Sequence, residues 1–152
     1  LGDVYKRQAL ACKNRGLNVD IELIQTGALL HDIGRSKTHS VHHAIAGAEI
    51  ARSLNLPEPV ISIIERHVGG GITTEEAENL GWPVKSYVPE TLEEKIVTYA
   101  DKLIEGSERV SIEQTIEKFS KKLPSSSIAG MRKLHREITS LIGDFDADSH
   151  VA

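Results

Sequence analysis

The sequence predicts an all-α fold, a single helical-bundle domain, on three observations. Apolar residues recur at helical spacing in segment after segment. No stretch alternates with the two-residue period of a half-buried strand. Helix-starting signals stand where the periodic segments begin, as in Thr73 with Glu76 and Ser111 with Gln114.

The elements follow in order. Residues 9–15 read as the end of a first helix, closed near Asn14 and Gly16. Asp20 caps a second helix to about His31, whose Ile21, Leu23, Ile24, Ala28, Leu29 and Leu30 leave little polar face, so it is expected to be central and buried, with Gly34 ending it. A third helix runs over residues 41–54. Asn55 with Glu58 can cap a fourth, over residues 57–68, stopped by Gly69, Gly70 and Gly71. Thr73 opens a short helix to Leu80, and the glycine and two prolines between Gly81 and Pro89 argue for a loop. Residues 91–105, 111–123 and 125–143 complete the helices, and the acidic residues 144–152 form a tail.

A chain of 152 residues, 39% hydrophobic and 26% charged, suits one globular domain. Its net charge of −4 and pI of about 6.0 supply no basic field for holding nucleic acid, and aromatics are only 4%. Nucleic acid is therefore not the expected partner. One cysteine, Cys12, forms no internal disulfide, and no apolar run reaches the ~20 residues of a membrane span, so a cytoplasmic setting is expected. The chain opens on Leu1, and residues 1–8 resemble the translated end of a transposon adapter used in sequencing libraries. They are expected to be foreign to the domain, which then spans residues 9–143 with a shortened first helix.

Chemistry is signalled by polar residues on apolar helix faces, because burying such groups unpaired is costly. Asp101 shares a face with Val97 and Ile104. His67 follows Val60, Ile63 and Ile64 on a core-facing stripe. His43 lies with Gly47, Ile50 and Leu54, whereas His42 falls with Glu49 and Ser53 and should point outward. His31 and Asp32 end the most apolar helix, where an imidazole and a carboxylate can converge. A lone inward histidine is more often a hydrogen-bonded core residue than a ligand, but three imidazoles and two carboxylates turned inward together point to a shared divalent metal with nitrogen and oxygen ligands. His39, His135 and His150 read as structural or exposed.

His31-Asp32-Ile33-Gly34, the later Tyr99-Ala100-Asp101, and between them His43 with Gly47 and Arg66-His67, resemble the HD superfamily of metal-dependent phosphohydrolases, of the HDIG type. The resemblance spans residues 9–105. It implies that His31, Asp32 and Asp101 ligate a first metal, that His43 and His67 match the two histidines added in dinuclear members, and that Asp32 also orients or deprotonates the attacking water. One or two ions are implied, drawn from Mn, Fe, Mg, Co or Ni. The implied reaction is hydrolysis of a nucleotide phosphomonoester or phosphodiester by a metal-activated water; the alternative is a non-catalytic regulatory module that binds metal and nucleotide. Arg35 and Lys37 follow the motif closely enough to meet a substrate phosphate, Arg35 with two parallel hydrogen bonds. The family's first histidine has no match in residues 9–20, so that ligand is expected to have been lost upstream of Ala9, leaving this chain impaired.

Overall fold

A computed structural model describes residues 2–143, so the acidic residues 144–152 and His150 lie outside the described residues. The order is α1 (Gly2–Asn14), α2 (Ile21–Leu30), a 3-10 turn (Ile33–Ser36), α3 (His43–Ser53), α4 (Glu58–Glu65), α5 (Thr74–Leu80), α6 (Leu92–Lys102), β1 (Ile104–Glu105), β2 (Glu108–Arg109), α7 (Ile112–Phe119) and α8 (Ser125–Ile142). The fold is all-α. Its only sheet among the described residues is a two-residue antiparallel hairpin, β1 with β2.

Side chains set the helix starts. The Asp20 carboxylate accepts from Leu23 N, and Thr91 Oγ1 accepts from Glu94 N. Thr73 with Glu76 and Ser111 with Gln114 form complete capping boxes. The fourth helix departs from expectation: Asn55 adopts φ +57, and α4 starts beyond Pro57, so no Asn55–Glu58 box forms. The sixth helix stops at Lys102 rather than at 105, because the chain turns into the hairpin through Gly106 at φ +62.

The central core joins Ile24 of α2, Ile63 of α4, Ile96 and Tyr99 of α6, and Met131 and Ile138 of α8, with Val4, Ala9 and Cys12 of α1. A second cluster, around Ala44, Ile72, Trp82 and Tyr87, closes one end, and a third, around Ala51, Ile61 and Ile64, lies between α3 and α4. Helix α2 is not buried on all sides, contrary to its composition. Its buried residues are Ile24, Gly27 and Ala28, while Leu29 is 83% exposed. The contact is narrow because α2 meets α4 through Gly27, where a Cβ would fall 2.6 Å from Ile63 Cδ1.

Gly34 also has a reason other than the expected one. Its φ is not positive; instead a Cβ there would lie 1.8 Å from the His43 carbonyl oxygen and 2.6 Å from Gly47 N. The 3-10 turn can press against the first turns of α3 only because residue 34 has no side chain. That approach carries Asp32 to His43.

One core position conflicts with its surroundings. The Gln8 side chain is fully buried in α1, and neither its Nε2 nor its Oε1 has a hydrogen-bond partner. Such a group costs ~1 to 3 kcal/mol. Gln8→Leu is therefore expected to stabilise the fold by about that amount in urea unfolding. A loss of stability would show that the amide is accommodated.

Candidate metal centre

The three inward histidines are held in one way. His31 Nδ1 lies 2.6 Å from the Ala28 carbonyl oxygen, His43 Nδ1 2.8 Å from that of Ser40, and His67 Nδ1 2.7 Å from that of Ile64. Each ring thus donates its Nδ1 hydrogen to the carbonyl three residues earlier. This assigns the tautomer and leaves Nε2 as the outward-facing nitrogen. The final turn of α2 orients His31, the turn before α3 orients His43, and α4 ends at Glu65 so that His67 stands just past it.

All three Nε2 atoms converge on Asp32. His31 Nε2 is 3.2 Å from Asp32 Oδ2, and His43 and His67 Nε2 are 3.2 and 3.4 Å from Oδ1. Asp101, from the last turn of α6, brings Oδ1 to 3.2 Å from His31 Nε2. The Nε2 atoms of His43 and His67 stand 2.9 Å apart. Buried Asp32 Oδ1, although ringed by nitrogens, receives no properly directed hydrogen bond. Lone pairs from several imidazoles facing two carboxylates suit a divalent cation. Ligand atoms of His31, Asp32 and His67 fall within 4.8 Å of one another. All five residues singled out as ligands are brought together.

The local field is strong. Burial opposes charge on His31, but the hydrogen bonds with Asp101 and Asp32 outweigh it and raise its pKa to about 10. Burial likewise opposes ionisation of Asp32, yet His31, His43 and His67 hold it well below the usual carboxylate range. Asp101 is held low too, its burial overcome by the Lys102 charge and by His31. His67 moves down because burial prevails over its contact with Asp32.

Arg35 Nε is 3.2 Å from Asp32 Oδ1, and its guanidinium also donates to the His39 carbonyl. Lys37 is exposed and borders neither cavity beside the centre. His42 points outward as expected and accepts from the Trp82 indole. His39 is exposed, and His135 meets the Tyr99 hydroxyl. Sequence reasoning passed over Lys102, which is buried and donates to the His67 carbonyl at 2.9 Å and to Asp101 Oδ2 at 3.0 Å. It follows buried Thr98 and Tyr99 by four and three residues, so helical spacing alone placed it on an inward face. A cavity of about 360 Å³ opens beside His31, Asp32 and Asp101, and another of about 310 Å³ beside His43, His67 and Asp101.

The model of the HD domain matches residues 6–106. This chain belongs to the HD-domain family. The HD domain is an all-α fold, as this chain is. An uncharacterized protein of Methanocaldococcus jannaschii is 53% identical to it over 136 residues, 88% of this chain and 80% of that protein. A tRNA (cytidine(56)-2'-O)-methyltransferase of Picrophilus torridus is 48% identical over 124 residues, 82% of this chain; the HD chain spans 36% of that methyltransferase's length. The HD domain of the L. monocytogenes phosphodiesterase PgpH, solved with cyclic-di-AMP, aligns over 91% of this chain and 86% of its own at 19% identity, with a TM-score of 0.49. No helix among the described residues is long and apolar enough to cross a membrane.

A metal ion must displace the proton that the raised pKa keeps on His31. Affinity of the metal-free HD domain is therefore expected to climb with pH by up to about tenfold per unit, with about one proton released per ion. Calorimetry in buffers of different ionisation enthalpy at about pH 6 and pH 8 reads both quantities. Binding independent of pH, with no proton released, would contradict a protonated His31.

Proposed function

We propose that this HD domain hydrolyses nucleotide phosphomonoesters or phosphodiesters at a divalent metal centre. His31, Asp32 and Asp101 would hold one ion, and His43 and His67 would supply the ligands of a second. The observation that carries the proposal is the convergence of three imidazole Nε2 atoms on Asp32, with Asp101 meeting the same Nε2 of His31. Ions held there would polarise phosphoryl oxygens and make water acidic enough to attack near neutral pH.

The protein's own groups have separable tasks. Asp32, kept ionised by the three histidines, is suited to accept a hydrogen bond from the attacking water and so orient it. Lys102 ties Asp101 to the His67 backbone and so holds two sides of the centre at fixed spacing. Arg35, half-exposed above Asp32, is placed to receive a phosphoryl oxygen. Lys37 would meet only phosphate reaching out of the cleft.

We propose that residues 1–8 are not native to the domain, with the unpartnered Gln8 amide in support. The ion proposed is one of Mn, Fe, Mg, Co or Ni, and the proposed setting is cytoplasmic. A second reading, a non-catalytic regulatory module, draws support from the methyltransferase relative, in which a segment like this chain is part of a longer protein. Turnover of any nucleotide ester separates the two.

The ligand assignment makes a graded expectation. His43→Ala and His67→Ala should each lower the metal-to-protein ratio from two towards one, while His42→Ala, whose side chain faces Trp82, should not. Asp101→Ala should remove both metal binding and hydrolysis yet leave a cooperatively folded protein, because it takes away a charge from a mostly buried face. Elemental analysis and thermal unfolding read these outcomes. Equal effects of His42 and His43, or unchanged metal in the Asp101 variant, would refute the assignment.

A further inference from the structure

The two cavities beside the centre are similar in size, about 360 and 310 Å³, and they share Arg35, Asp101, Lys102 and Phe119 as walls. They are two arms of one cleft: His31 and Asp32 line the first, His43 and His67 the second, and Asp101 lines both. The first arm runs out to Gly106, Thr115 and Lys118, and the second to Ser40, Val68 and Lys122. Phe119, half-buried at the end of α7, stands where the arms meet.

Part of each arm's wall comes from beyond residues 6–106, which match the HD model: Thr115, Lys118 and Phe119 in the first arm, Phe119, Lys122 and Leu123 in the second. Their chemistry suits a charged, ring-bearing ligand. Lys118 is tethered by Glu105 at 2.9 Å, with its ammonium 5.8 Å from the Phe119 ring centre. Lys122 is exposed and has no ion-pair partner among the described residues. The Phe119 ring, with the Lys118 ammonium over it and Lys122 in the wall of the second arm, offers stacking to a base or ring and nearby attraction to phosphate.

Resting on the hydrolase reading, we propose that the substrate is a phosphodiester, with one substituent in each arm, and that Phe119 positions it by contact with both. A phosphomonoester carries a single substituent and would use one arm. In the step itself the water oxygen forms a bond to phosphorus as the P–O bond to one substituent breaks. The water's proton ends on the departing oxygen, so the products are one alcohol and one phosphomonoester.

The test uses the whole chain loaded with Mn2+. Calorimetry compares a phosphorothioate-linked thymidine dinucleotide with thymidine 5′-phosphorothioate, and turnover compares bis(4-nitrophenyl) phosphate with 4-nitrophenyl phosphate. The dinucleotide should bind about tenfold more tightly, and Phe119→Ala should remove most of that preference while metal content stays at the wild-type level. Lys122→Glu, a surface change that leaves packing intact, should weaken the dinucleotide more than the monoester. Equal or tighter monoester binding, or equal weakening of both ligands by the two variants, would overturn the proposal. Cleavage of the monoester alone would overturn it while leaving hydrolase activity standing. Preferential diester binding with no cleavage of either ester would instead defeat the hydrolase reading and keep the two-armed site.

Discussion

Three backbone carbonyls, each accepting the Nδ1 hydrogen of the histidine three residues later, are what the centre depends on. A free imidazole chooses between tautomers and rotates; these cannot, because Ala28, Ser40 and Ile64 hold the rings at 2.6 to 2.8 Å. The same carbonyl-imidazole contact recurs at the end of one helix, before the start of a second and past the end of a third. At Ala28 and Ile64 a last-turn carbonyl that its helix leaves unsatisfied aims the side chain, whereas the Ser40 carbonyl, ahead of α3, accepts from both the backbone and the ring of His43. The result is three Nε2 atoms directed at one carboxylate, an arrangement that makes sense electrostatically only with a cation between them or with protons on some of the rings.

Bringing the helix ends together requires backbones to approach more closely than side chains allow. Gly34 packs on the His43 carbonyl and Gly47, and Gly47 in turn packs on Ile64, two residues before Arg66 and three before His67. One line of contacts thus joins the His31-Asp32 pair, His43 and His67. Lys102 closes the remaining side by linking Asp101 to the His67 carbonyl. The buried Arg66–Glu94 pair, at 2.8 Å, joins the end of α4 to the start of α6 in the same way.

Helix type and number were legible in the sequence because capping residues and apolar spacing agreed at Asp20, Thr73 and Ser111. The inward turn of His43 and the outward turn of His42 were legible for the same reason: one residue along a helix is a rotation of 100°. What spacing could not reveal was the distance between helices. It made α2 look buried all round, although Gly27 draws only one edge of it onto α4 and leaves Leu29 in water. It assigned Gly34 to chain reversal when its use is close approach. It could not find the cleft walls at Phe119 and Lys122 either, since an exposed lysine and a half-buried aromatic on an amphipathic helix carry no local sign of what they face across the molecule.

Anomalous diffraction from crystals of the Mn2+-loaded chain tests the central claim most directly. The expected result is anomalous density enclosed by the Nε2 atoms of His31, His43 and His67 and the carboxylates of Asp32 and Asp101, with the three Nδ1–carbonyl hydrogen bonds retained. Density elsewhere, or none in crystals that retain the five side chains in place, would contradict a metal centre and make the cluster a protonated hydrogen-bond network.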